Sequence, residues 1–86
     1  MPRISEFYGI AIYLYYQDHA PPHFHAIYGE HEATISIGSA RLLDGRLPRR
    51  ALGLVRAWAR LHREELEKDW QLARHGQPLR SIKPLD

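Results

Sequence analysis

Apolar residues change their period halfway along this chain, and that change limits its fold more than any other feature. From Gly9 to Gly38 they recur at every second residue, whereas from Ala51 to Ala73 they recur every three or four. The first spacing belongs to strands with one buried face, the second to an amphipathic helix. A chain that switches once between them folds as α+β, with a sheet and a helical layer sharing a core. At 86 residues, with no Gly/Ser-rich linker at the switch, both layers belong to one small domain. Residues 1–45 form its sheet half, 46–76 its helix and 77–86 a tail.

The strands follow from alternation. Over Gly9–Gln17, Ile10, Ile12, Leu14 and Tyr16 share one face, and Ala11, Tyr13 and Tyr15 the other. Asp18-His19-Ala20-Pro21-Pro22 breaks this run, since neither proline donates to a ladder. His23–Tyr28 and His31–Gly38 follow as two strands about a Gly29-Glu30 turn. Ala40–Leu43 is a short further strand or an extended piece, closed by an Asp44-Gly45 turn. The expectation is a three- to four-stranded antiparallel meander with one face packed and one partly wet.

One long C-terminal helix covers that sheet. Pro48 suits its first position, while Arg74, His75, Gly76 and Pro78 mark its end. Ala51, Leu52, Val55, Trp58, Ala59, His62, Leu66, Trp70 and Ala73 lie on one broad face. Unbroken from Pro48 to His75, it would be about 42 Å long, in a body only about 30 Å across. The favoured expectation is a helix that overhangs and is covered in a homodimer; a break near His62 is the alternative. Within the tail, Leu79, Ile82 and Leu85 are the residues able to pin it to the body.

Charge is balanced in total but not along the chain. Arg3 stands against Glu6, Asp18, Glu30 and Glu32 in residues 1–40, a net −3. Eleven basic against six acidic residues give the remainder a net +5. With no cysteine, disulfides and thiolate metal sites are excluded. No apolar run approaches the length of a membrane span, and Met1–Glu6 lacks the apolar core of a secretory leader, so a cytoplasmic protein is expected.

Four of the six histidines lie in the acidic half. In Asp18-His19-Ala20-Pro21-Pro22-His23-Phe24-His25, the imidazoles of His23 and His25 are two residues apart on a strand and point the same way. His19 lies across the Pro-Pro corner, which can fold it back toward them. Together they are candidate ligands for a divalent metal such as zinc, with Asp18 orienting one ring from the outer shell. His62, midway along the apolar helix face with Asp69 two turns on, is a fourth candidate. The competing reading makes His23 and His25 hydrogen-bonded structural residues and His62 a core residue.

From Arg41 to Arg63 there are seven arginines and one acid, Asp44. Arg49 and Arg50 occupy the helix start, where acidic residues are normally favoured; guanidinium groups beside free N–H groups suit an anion. Arg56 and Arg60 extend the basic stripe, as a phosphate or acidic-partner contact or as a solvated face. Phe7, Tyr8, Tyr13, Tyr15 and Tyr16 add a surplus of aromatics for stacking, protein contact or packing on the tryptophans.

Several stretches occur in a recognisable combination: Pro2-Arg3-Ile4-Ser5-Glu6-Phe7-Tyr8-Gly9-Ile10, Asp18 to His25, and Leu43-Asp44-Gly45-Arg46-Leu47-Pro48. Ala51-Leu52-x-Leu54-Val55-x-x-Trp58, Leu61-His62-x-x-Glu65-Leu66 and Trp70 continue it, and Gly53 inside the helix departs from it. The combination resembles the Domain of Unknown Function 4160 family of small bacterial proteins. That resemblance implies a protein without assigned activity, encoded beside a small protein partner in a toxin–antitoxin-like pair. It transfers no catalytic residue. The resulting expectation is a protein- or nucleic-acid-binding module; the alternative is a metal-dependent hydrolase or nuclease using His19, His23 and His25. A purely structural scaffold is a third reading.

Overall fold

The computed structural model describes residues 2–16 and 18–86. Five strands come first: β1 (Arg3–Phe7), β2 (Ile10–Tyr13), β3 (His23–Tyr28), β4 (His31–Ser36) and β5 (Leu42–Gly45). Two helices follow, α1 (Arg49–Leu61) and α2 (Arg63–Arg74). The strands form one antiparallel sheet in the order β1-β2-β3-β4-β5, a plain meander. The fold is therefore α+β as expected, but with five strands among the described residues instead of three or four, and two helices instead of one.

β1 is the strand that alternation does not reveal. Arg3 pairs with Tyr13 and Ser5 with Ile12, so Ile4 is the extra residue of a bulge. The bulge shifts the phase, and Ile4 and Phe7 both enter the core although they are three residues apart. The strand expected over Gly9–Gln17 ends at Tyr13; its last residue, Gln17, lies outside the described residues. Asp44-Gly45 belongs to β5 and is not a turn. At Gly45 the backbone has φ +79°, and a Cβ would collide with the Glu32 carbonyl oxygen, so glycine is required there by both conformation and space.

The core lies between one sheet face and the helices. Ile10, Ile12, Leu14, Phe24, Ala26, Ala33, Ile35 and Ile37 supply the sheet side. Trp58 is its centre, with its ring centroid 5.3 Å from that of Phe7 and 5.7 Å from that of Phe24. The Trp58 indole N–H donates to the Lys83 carbonyl at 2.9 Å, which satisfies its one polar atom. The tail is held as well: Ile82 is buried, and its N–H donates to the Ile4 carbonyl at 2.8 Å.

The long helix breaks at His62, with φ −117° and ψ 28°. Glu64 and Glu65 then occupy the first turn of α2, where carboxylates favour a helix start. The break lets Leu66, Trp70 and Ala73 continue over the sheet, and the molecule measures 33 × 25 × 22 Å. No overhang remains, so the length argument for a covering second copy no longer applies. No helix among the described residues is long and apolar enough to cross a membrane.

Candidate metal centre

The start of β3 and the loop before it bring three side chains to one point. Asp18 Oδ2 lies 2.9 Å from His23 Nε2 and 3.5 Å from His25 Nε2. One ligand atom from each of the three residues lies within 4.8 Å of the other two. Ligands about 2.05 Å from a tetrahedral ion sit roughly 3.3 Å apart, so these spacings need only small adjustment to close on one. His23 is 4 % exposed and His25 is half-buried, with Asp18 at the rim.

Each imidazole is oriented by its other nitrogen. The His23 Nδ1–H donates to the Pro21 carbonyl at 2.6 Å, across a corner that contains a cis Ala20–Pro21 bond. In a neutral ring this leaves Nε2 as a lone pair, and that lone pair faces the Asp18 carboxylate. Two bare acceptors do not sit at 2.9 Å, so a proton or a metal ion lies between them. His25 repeats the pattern more loosely, with Thr34 Oγ1 at 3.4 Å and Glu32 Oε2 at 3.6 Å from Nδ1. An Nδ1 held by a carbonyl or carboxylate while Nε2 faces the ion is the usual outer-shell arrangement of histidine sites.

Aromatic rings wall the site. His23 packs on Trp70 of α2 at 5.2 Å between centroids, and His25 on Tyr15 at 4.2 Å. Burial and then the nearby Glu32 push the Tyr15 hydroxyl up. Burial also tends to raise Asp18. The His19 backbone N–H and then the His23 and His25 rings outweigh it, and the carboxyl sits below its ordinary range.

The structure thus gathers His23, His25 and Asp18, with Asp18 in direct reach of both rings instead of behind one of them. His19 is exposed, and its ring lies 3.1 Å from Asp18 Oδ1, outside the converging set. His62 is elsewhere: its ring packs on Trp58 and contacts Glu65. Asp69 is also apart, buried and accepting the Arg80 N–H at 3.0 Å. Sequence reasoning missed Thr34, Glu32, Tyr15 and Trp70 around the cluster. For Thr34 a signal existed, because a tight turn pairing Tyr28 with His31 sets His25 opposite Thr34.

The basic candidates lie on another part of the molecule. Arg49, Arg50 and Arg60 are exposed, and Arg56 is half-buried with its Nε lacking a partner among the described residues. α1 follows Pro48 at its N-cap, with no side-chain cap among the described residues and no acidic residue in its first turn.

No curated protein and no solved structure matches this chain. The sequence profile of the domain of unknown function DUF4160 matches residues 9–71, which takes in β2 to β5, the Asp18–His23–His25 cluster, α1 and most of α2; the chain belongs to that family.

Proposed function

We propose that this chain is a metalloprotein in which Asp18, His23 and His25 hold one divalent transition ion. Two imidazoles and one carboxylate suit zinc, or ferrous iron in a reducing compartment. The observation that carries the reading is the meeting of Asp18 Oδ2 with His23 Nε2 at 2.9 Å, while His23 Nδ1 faces the Pro21 carbonyl at 2.6 Å. A single ion between them satisfies both, and His25 Nε2 as well. An ion held by these three side chains would supply Lewis acidity and the means to activate water near neutral pH. The function that follows is metal-dependent hydrolysis, of the hydrolase or nuclease class.

Elemental analysis of the purified protein tests it, comparing wild type with His23→Ala/His25→Ala. The expected result is about one equivalent of metal in the wild type and none in the variant. Saturating zinc at about 100 times its Kd adds roughly 2.7 kcal/mol of stability, or about 10–20 °C in Tm for a domain of this size. Absence of retained metal, together with an unchanged Tm in zinc or ferrous iron, rejects the proposal.

A second reading rests on a separate observation, the exposed Arg49 and Arg50 at an uncapped helix start. It makes the chain a binding module that meets a small acidic protein or a nucleic acid, as in a toxin–antitoxin-like gene pair. Arg49→Glu/Arg50→Glu should then weaken binding to the protein encoded alongside or to an oligonucleotide. Unchanged binding by a folded variant removes this reading and leaves the metal proposal intact.

A further inference from the structure

We infer that the β5 edge of the sheet receives an extended, acidic segment of a protein partner by strand addition. This rests on the partner-binding reading above and names its surface and ligand class. The two edges of the sheet are finished differently. At β1 the C-terminal tail comes alongside, with Ile82 buried and its N–H given to the Ile4 carbonyl. At the other end of the strand order stands β5, all four of its residues exposed. Leu42 is 43 % and Leu43 45 % exposed, and Leu43 is the extra residue of a bulge, without a partner on β4. An outer strand offers unpaired N–H and C=O groups, the template on which an added strand forms.

Charge selects the occupant. Arg41 directly precedes β5 and Arg46 directly follows it. Between these two stands Asp44 alone, a net +1 over residues 41–46. A second copy of this chain in the same place would set that cluster against itself. A nucleic acid would meet the guanidinium groups but leave the strand's backbone groups and both leucines without partners. A strand that alternates Glu or Asp with Val, Ile or Leu serves all three at once: ladder, leucines and arginines.

The test uses the isotope-labelled full chain and synthetic eight-residue peptides alternating Glu with Val. Backbone amides of Leu42–Gly45 should shift and become roughly tenfold more protected from exchange on saturation. Arg41→Glu/Arg46→Glu and, separately, Leu43→Lys should each raise the Kd roughly tenfold with the spectrum of the core unchanged. A peptide of the same charge, N-methylated at alternate residues, should not bind, because one side of its ladder is blocked. Equal binding of the N-methylated peptide, or shifts confined to residues away from β5, overturns strand addition. If a twelve-nucleotide single strand shifts Arg49 and Arg50 while no peptide binds, strand addition fails and the basic-face reading stands. If neither probe binds, both fail.

Discussion

Asp18 and Asp69 are two partly or fully buried carboxylates in one small domain, and their surroundings drive them in opposite directions. In both, burial is the leading influence and raises the carboxyl. Around Asp18 a backbone N–H and two imidazoles reverse that influence and lower it. Around Asp69 the N–H and charge of Arg80 are too little, Glu65 works against them, and the carboxyl stays raised. Its Oδ2 is buried without a partner among the described residues. Donors within reach, and not depth alone, decide whether a buried acid is ready to accept a cation or to keep its proton. Asp18 is thus ready to hold a positive charge, whereas Asp69 serves as a latch for the tail.

The sharpest way to break this contrast is to remove Asp18. Asp18→Ala should lower zinc affinity by roughly 100-fold or more, a greater loss than outer-shell changes cause. In metal-free protein it should cost about 1.5–3 kcal/mol, the scale of hydrogen bonds to a charged group. Calorimetric titration and denaturant unfolding measure the two effects. Zinc binding by Asp18→Ala at wild-type strength would show that the histidines need no carboxylate.

Acid response comes next in size. A lowered carboxyl contributes stability above its unfolded value and loses it as pH falls through the folded one, so metal-free wild type should weaken toward acid more than Asp18→Asn. A raised carboxyl works the other way. The protonated Asp69 stabilises the fold at low pH, and that contribution is lost as pH rises above the unfolded value. Unfolding midpoints measured between acid and neutral pH should therefore show Asp69→Asn gaining on wild type as pH rises. Parallel curves for wild type and Asp69→Asn would mean that Asp69 is ionised at no cost.

At neutral pH, Asp69→Asn should change stability by less than about 1 kcal/mol, because the amide keeps an acceptor for the Arg80 N–H and carries no charge, but its NH2 takes the place of the unpartnered Oδ2. A loss of more than about 2 kcal/mol in denaturant unfolding would contradict the raised carboxyl. The smallest effect belongs to His19→Ala. This ring is exposed and touches the other oxygen of Asp18, so stability should change by under about 0.5 kcal/mol. Zinc affinity should fall less than tenfold; a larger fall would add His19 to the ligand set.

Much of the fold was legible because it repeats a short-range rule. His23–Tyr28 and the start of β4 at His31 follow from alternation about Gly29-Glu30, and the helical layer, though not its division in two, follows from one apolar stripe. β1 was not legible because its bulge places Ile4 and Phe7 on one face at an odd spacing. The helix break was half-legible. The apolar stripe runs unbroken through His62, yet the Arg63-Glu64-Glu65 start carries its own acidic first turn. Of the candidate site, His23 and His25 on one strand face were readable from sequence; the direct approach of Asp18 to both was not, since it depends on how the Pro21-Pro22 corner returns.

By itself the sequence determined the α+β class, the period of each layer, the absence of thiolate chemistry and the placing of acids, histidines and arginines along the chain. Those properties depend on residue identity and on separations of a few residues, which local backbone geometry translates directly. Tertiary structure alone decided which histidines meet an acid, which buried acid is short of donors, and which sheet edge the tail leaves bare. The last two depend on groups far apart in sequence, such as Asp69 with Arg80 or Ile4 with Ile82, and the first on how the Pro21-Pro22 corner folds Asp18 back onto β3. Only the packed core brings such groups within hydrogen-bonding distance, and no periodicity records their separation.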